Sequence, residues 1–349
     1  LAEAMPIWPA IISGSLGYLI VVVGMVATGM IGCDLGLASC TCCQAGFGKS
    51  GARFIVSTIF AVNMIGWFGI QNGVCGEAFS NAMLAMTGWD IPVVVSNTIW
   101  GIIMLLTAVY GVHALEKLDK ISIPLLMIIM CYGTFLAFKV YGTGNLNDEG
   151  TVQSMSFMSG VALSFNFTAV GTITGPDYTR FQKSRKDTVK SVFYGVFPMG
   201  VITLIMGIVL TKLSGQYDIS MVLIEVGLPL LGIIALVIST WTTNSTNAYS
   251  AGLNIVMALK LKDNRRREAT LISGIVGIVL CDLGILGHVE GVLSLLSYVV
   301  CPVGGVILAD YWVVGKGKAK NFRPQDGVNW AGVIAWALGA IISYTLVKI

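Results

Sequence analysis

The sequence predicts an all-α polytopic membrane protein, with about ten membrane-crossing helices in a single transmembrane domain covering residues 1–349. Three observations carry that reading. Hydrophobic residues are 55% of the 349 and charged residues only 11%, whereas a soluble domain carries roughly a quarter charged residues. The apolar residues gather into repeated blocks of about 20 or more, enough to cross roughly 30 Å of hydrocarbon at about 1.5 Å per residue. No polar stretch is long enough to fold as a second, water-soluble domain. A mean hydropathy of +0.82 is more than a water-soluble fold could hide, and barrel strands would alternate over about ten residues instead.

In chain order the blocks are 5–31, 52–86, 91–111, 121–141, 157–175, 189–213, 226–257, 269–287, 289–313 and 329–347. Polar breaks separate them at 142–149, 183–190, 260–268 and 316–326. The basic residues sort the loops into two sets. One alternate set holds 18 of the 21 Lys and Arg residues: Lys49 and Arg53; Lys117 and Lys120; Arg180, Lys183, Arg185, Lys186 and Lys190; Lys260, Lys262, Arg265, Arg266 and Arg267; Lys316, Lys318, Lys320 and Arg323. The other holds Asp90, Asp148, Glu149, Asp218, Glu225, His288 and Glu290, with only Lys139, Lys212 and Lys348 at helix ends. Cytoplasmic loops retain Lys and Arg, so the first set is read as cytoplasmic, in a bacterial-type plasma (inner) membrane. The net charge of +3 follows from this asymmetry and implies no nucleic-acid partner.

In that orientation the first block runs inward and Leu1 lies outside. The expectation is a fragment, lacking at least one upstream helix and cut at Ile349 as the last helix closes. Four of the eight cysteines, Cys33, Cys40, Cys42 and Cys43, fall in the first cytoplasmic stretch, where thiols stay reduced. Their C-x-C-C spacing, with no nearby His or second C-x-x-C pair, does not fit tetrahedral zinc. Packing of a Gly-rich re-entrant turn (Gly29, Gly32, Gly36, Gly46, Gly48) is the preferred reading, with no metal beyond a coupling ion.

Polar side chains deep in a membrane are costly, which makes them the first candidates for function. In the second block Asn63, Trp67 and Gln71 are spaced by four and share one helical face, with Trp67 too deep for an interfacial belt. An aromatic plate between two amides suits a flat heterocycle carrying donors and acceptors on its edge; a Trp satisfied by a neighbouring helix is the alternative. The seventh block carries an almost wholly polar run, 239–247. There Ser239, Thr242 and Thr243 stand at i, i+3 and i+4, so one carbonyl and two hydroxyls can converge on a monovalent cation such as Na⁺. Helix-packing glue is the alternative for that run. The fifth block, 164–176, has the Gly and Pro content and short apolar length of a discontinuous helix, such as marks transporter binding sites. Phe165 or Phe167 is placed to supply an opposing aromatic face, and Gly175-Pro176 ending the helix is the alternative.

Four runs then carry a specific resemblance: Gly66-Trp67-Phe68-Gly69; Pro176-Asp177-Tyr178-Thr179-Arg180-Phe181; Trp241-Thr242-Thr243-Asn244 with Tyr249-Ser250-Ala251-Gly252-Leu253; and the segment from Pro302 to Trp312 ending Ala309-Asp310-Tyr311-Trp312. In order over nearly the whole chain, they resemble the nucleobase–cation symport-1 family, its cytosine permeases nearest, beginning at what would be the family's second helix. The resemblance implies an inverted five-plus-five helix repeat with the first helix missing, alternating access, and Na⁺-coupled uptake of nucleobases or related rings. It implies that Trp67 and Phe167 sandwich the ring, with Asn166 beside Phe167, and that Gln71 is the amide of hydantoin- and allantoin-type members. Cytosine permeases instead have Gln three residues before the Trp, where this chain has Met64, so the ring is left open among cytosine, purine, uracil, allantoin and hydantoin. The cation ligands map to the Ser239 carbonyl and the Thr242 and Thr243 hydroxyls, with H⁺ as the alternative ion, and Asn244 and Asn247 are the nearest substrate amides.

Asp177 and Arg180 belong to the cytoplasmic end of the fifth block, as inner-gate or loop-anchoring residues. Asp282 is read as an acid inside the eighth block, a proton or helix-packing partner with no counterpart in sight. A membrane-embedded enzyme is disfavoured: His113 and His288 are placed on opposite sides, and no H-E-x-x-H, G-x-S-x-G or paired-carboxylate motif occurs. A channel is disfavoured by the lack of any repeated filter-like segment. Oligomeric state is not legible.

Overall fold

The computed structural model describes residues 1–143, 146, 155–216 and 219–346, and these are helical almost throughout, without strands. The long helical stretches are α1 (Ile7–Leu35), α2 (Lys49–Thr87), α3 (Val93–Tyr110), α4 (Val112–Tyr141), α5 (Phe157–Thr179), α6 (Arg185–Ser214), α7 (Pro229–Ala258), α8 (Arg266–Asp282), α9 (Ile285–Val314) and α10 (Trp330–Leu346). Each expected block is found as one of them. Among the described residues seven pass a combined length and hydropathy requirement for spanning. α7 is absent from the seven because of its polar middle, and α8 and α10 have 17 residues each. The expected loop residues Asp148, Glu149 and Asp218, and Lys348 at the chain end, lie outside the described residues.

Helix ends follow local chemistry. α1 closes at Gly36 and α2 at Gly88, both with positive φ, and each Gly N–H bonds a carbonyl four residues back. One end of the bundle gathers the basic loops. There Lys49 pairs with Asp326 at 2.8 Å, Asn329 N donates to the Phe47 carbonyl at 2.8 Å, and Arg266 reaches the carbonyls of Ala108 and Val109 at 3.4 and 3.3 Å. The acidic loops lie at the other end, where Tyr141 Oη donates to Glu225 at 2.6 Å.

Two interfaces position the candidate site: α1 on α5, and α2 on α7. α5 is discontinuous, as expected, but the break lies at Ala169-Val170, between Phe157–Thr168 and Gly171–Thr179. Gly175 and Pro176 sit inside the second half. Pro176 has no N–H to give the Thr172 carbonyl; Thr28 of α1 supplies the donor instead, its Oγ1 lying 2.8 Å from Thr172 O. The tertiary contact thus satisfies the group that a proline leaves orphaned.

The same interface explains the glycines. Gly29 and Gly32, expected in a re-entrant turn, fall within α1 against α5: a Cβ on Gly32 would lie 2.4 Å from Pro176 Cα, and one on Gly175 2.5 Å from Met25 O. Small residues let two membrane helices approach backbone to backbone. Gly175→Ala is therefore expected to destabilise the fold by at least the roughly 1–3 kcal/mol of overpacking, since the obstruction is main chain. The check is the thermal midpoint of detergent-solubilised protein, with Gly195→Ala as control, because nothing lies within 4 Å of a Cβ there. Equal midpoints for the two variants would refute the close approach.

Candidate substrate and cation site

α2 brings three of the expected residues to one face, and α5 brings a fourth to meet them. The rings of Trp67 and Phe167 lie 5.2 Å apart between centroids at an interplanar angle of 90°. Sequence reasoning paired these two aromatics across 100 residues, and they do touch. The expected sandwich is nevertheless not formed in this structure: an edge-to-face pair leaves no slot for a flat ring between its members. Phe167 is 54% exposed and stands two residues before the break in α5.

Gln71, one turn beyond Trp67, borders an open-sided cavity of about 1140 Å³ lined by α2, α4, α6, α7, the start of α9, and Gln216 and Met221 between α6 and α7. Ser239 and Thr240 of α7 border it as well. Asn63 is buried, and its Oδ1 has no hydrogen-bond partner. Asn166 Nδ2 lies 3.4 Å from Ser294 Oγ, and its carbonyl accepts from Ser297 Oγ at 3.3 Å, which ties the first half of α5 to α9.

The polar run of α7 resolves into two faces. On one, Thr242 Oγ1 and Thr243 Oγ1 donate to the Ser239 carbonyl at 3.0 and 3.1 Å. The three oxygens therefore lie together on one helical turn. On the other face Trp241 Nε1 donates to Thr107 Oγ1 at 2.9 Å, Asn244 Nδ2 to the Phe68 carbonyl at 3.1 Å, and Ser245 Oγ to the Met104 carbonyl at 3.0 Å. The side chains that brace α7 against its neighbours and the oxygens of Ser239, Thr242 and Thr243 therefore occupy opposite sides of one helix. Asn244, expected beside the substrate, is fully buried and braces α2 and α3, although its Oδ1 has no partner. Asn247 Nδ2 is buried and unpartnered. Asn63 Oδ1, Asn244 Oδ1 and Asn247 Nδ2 are thus three buried amide atoms without a hydrogen-bond partner.

At the basic end Asp177 Oδ1 accepts from Ser39 N at 2.9 Å, fixing the short helix Ser39–Cys42 against α5. Arg180 stacks over Phe181 at 4.7 Å, its Nε buried without a partner. The two make no ion pair with each other. A further ion pair at this end joins Arg185 to Asp34: Arg185 Nε lies 3.0 and 2.9 Å from the two carboxylate oxygens. Arg185 Nη2 also reaches Asp34 and, at 2.6 Å, the Gly317 carbonyl. Tyr311 Oη donates to the same Asp34 carboxylate, and Trp312 lies under the guanidinium at 4.9 Å. This network ties α1, α6 and α9, and sequence reasoning missed it because Asp34 and Arg185 are 151 residues apart.

Asp282 requires correction. It is the last residue of α8, exposed, with Asn97 Nδ2 at 3.2 Å from its carboxylate. The apolar run continues past it only because the following turn, Ile285–His288, is itself apolar. The acid within a span and facing the cavity is Glu77, visible in the second block yet passed over beside Gln71. The cysteines do not converge: Cys40 Sγ lies 3.4 Å from Asn254 Oδ1, Cys42 Sγ 3.5 Å from Leu37 O, and Cys43 Sγ 3.2 Å from Ser39 O. Burial pushes the Cys40 and Cys42 thiols up to about 12.

Residues 2–349 match the family of permeases for cytosine/purines, uracil, thiamine and allantoin. The chain belongs to that family. It is 31% identical over 324 residues to the cytosine permease of Escherichia coli K12, covering 91% of this chain and 74% of that one. It is 20% identical to the hydantoin permease of Microbacterium maritypicum, over 99% of this chain and 76% of that one. Among solved structures, Mhp1, a nucleobase-cation-symport-1 family transporter closed on bromovinylhydantoin, superposes with a TM-score of 0.76 at 17% identity, over 99% of this chain and 85% of that one. Its inward-facing form gives a TM-score of 0.79 at 18% identity, over 99% of this chain and 83% of that one. The resemblance read from four motifs is thereby borne out, as is the symporter fold. This permease is a multi-pass membrane transporter of the nucleobase type, and the enzyme alternative falls.

Proposed function

We propose that this permease takes up a neutral nucleobase, cytosine first, by cation-coupled alternating access across the plasma membrane, with the basic loops cytoplasmic. One observation carries the reading: the cavity that Gln71 of the Trp67 face borders is also bordered by Ser239, whose carbonyl gathers the Thr242 and Thr243 hydroxyls. Ring site and ion site so placed can sense each other, as coupled transport requires. Na⁺ suits a set of neutral oxygens. Cytosine is favoured by the identity to the E. coli cytosine permease, while Gln71 keeps hydantoin and allantoin as second readings. The excess of Lys and Arg in one set of loops supports their cytoplasmic placement.

The roles follow from position. Trp67 offers a stacking face, Phe167 closes on the other side as the α5 break moves, and Gln71, Asn63, Asn166 and Asn247 offer amide edges. Asp177 anchors the Ser39–Cys42 helix at the inner end, next to Arg180. Uptake of labelled cytosine into cells, with and without a Na⁺ gradient, tests the whole reading: saturable, gradient-dependent accumulation is expected. In the same cells Gln71→Ala is expected to flatten discrimination among cytosine, uracil, hypoxanthine and hydantoin, because a site that hydrogen-bonds a ring edge rejects mismatched rings strongly. Unaltered selectivity in that competition panel would shift the recognition element from α2 to α7.

A further inference from the structure

We propose that Glu77 is a charge filter on the path to the ring site, a fixed carboxylate that admits neutral and cationic rings and holds anionic ones back. Glu77 lies on α2 six residues beyond Gln71, about 9 Å along the helix axis. Both line the cavity of about 1140 Å³. Thr87, the end of α2, is ten residues further on, roughly 15 Å away. Glu77 thus stands between Gln71 and the end of the bundle remote from the basic loops.

The rest of the described lining is uncharged. Its polar members besides Gln71 and Ser239 include Asn81, Thr203, Gln216 and Thr240, and the remainder is apolar, rich in Met and Leu. Among the described residues no Lys, Arg or His borders the cavity to neutralise the acid. A carboxylate at this depth is expensive and is retained for function by default. Low-dielectric walls also focus its field into the cavity, where neutral amides and hydroxyls do little to cancel it. An anionic ring approaching Gln71 meets that field, whereas a neutral ring of the same shape does not.

The proposal rests on Gln71 as a substrate contact, and the two are separable. Gln71→Ala alters choice among neutral rings, and Glu77→Gln alters choice by charge alone. The experiment is inhibition of labelled cytosine uptake by barbiturate, an anion at neutral pH, and by 6-aminouracil, its neutral near-isostere. The wild type is expected to disfavour barbiturate. Glu77→Gln should narrow the ratio of the two inhibition constants about 2- to 20-fold, the effect of one charge at roughly 9 Å for an effective dielectric between bulk water and about 20. Glu77→Asp should keep the wild-type ratio.

Equal inhibition by the two rings in the wild type overturns the filter, and so does a ratio that Glu77→Gln leaves unchanged. If Glu77→Gln fails to reach the membrane, Asn81→Asp carries the test: a second carboxylate one turn further along the same wall must widen the ratio, and an unchanged ratio again overturns the filter. Absence of cytosine uptake by the wild type strikes the substrate reading instead, and the ratio is then measured on labelled hydantoin.

Discussion

Replacing Trp67 with Ala is expected to weaken substrate affinity roughly 5- to 150-fold, the equivalent of the 1–3 kcal/mol that stacking on an aromatic is worth per base. The indole and the Phe167 ring pack edge-to-face at 5.2 Å, and the proposed reading makes the indole the plate on which a ring lies. Trp67→Phe keeps a smaller plate and should lose much less. The measurement is the KM for uptake together with the Kd from direct binding, so that a slower transport step is not mistaken for weaker stacking. Should Trp67→Ala transport with unchanged affinity, Trp67 is a packing residue for α5 and the ring site lies elsewhere.

The second large effect is expected from the double substitution Thr242→Ala and Thr243→Ala: stimulation of substrate binding by Na⁺ disappears. Both hydroxyls now donate to the Ser239 carbonyl. A hydroxyl that gives away its proton keeps its oxygen lone pairs, and a carbonyl has two, so all three oxygens remain available to a cation. Three neutral ligands on one helical turn need about two more oxygens to hold a hard monovalent ion. Alanine keeps helix propensity high, and the substituted face is the one away from α2 and α3, so the variant should insert and fold. Reciprocal coupling between two sites cannot survive the loss of one. Proton-driven uptake with no Na⁺ dependence in the unsubstituted protein would sink this assignment. It would also turn attention to Glu77 in the cavity wall, and away from Asp282 at the exposed end of α8.

What the sequence determined by itself was the fold class, the ten helices and the residues worth examining. These rest on one-dimensional regularities that the bilayer imposes: span length, exclusion of charge, loop asymmetry, and the i, i+3, i+4 spacing that put Ser239 with Thr242 and Thr243. An aromatic face opposite Trp67 was legible as Phe165 or Phe167, and the choice of Phe167 came only through the family resemblance. Tertiary structure alone decided which polar groups are spent on packing. Asn244 and Ser245 are adjacent in the chain to Thr243, yet their hydrogen bonds go to Phe68 and Met104, because helical rotation turns them toward α2 and α3. Tertiary structure also moved the α5 break from Gly175-Pro176 to Ala169-Val170, since Thr28 of a distant helix satisfies the carbonyl that Pro176 would otherwise orphan. It exposed Asp282 and placed Glu77 in the cavity wall, and it joined Asp34, Arg185 and Tyr311. Contacts between residues more than a hundred positions apart leave no local pattern, because they depend on which helices the packing of small residues brings together.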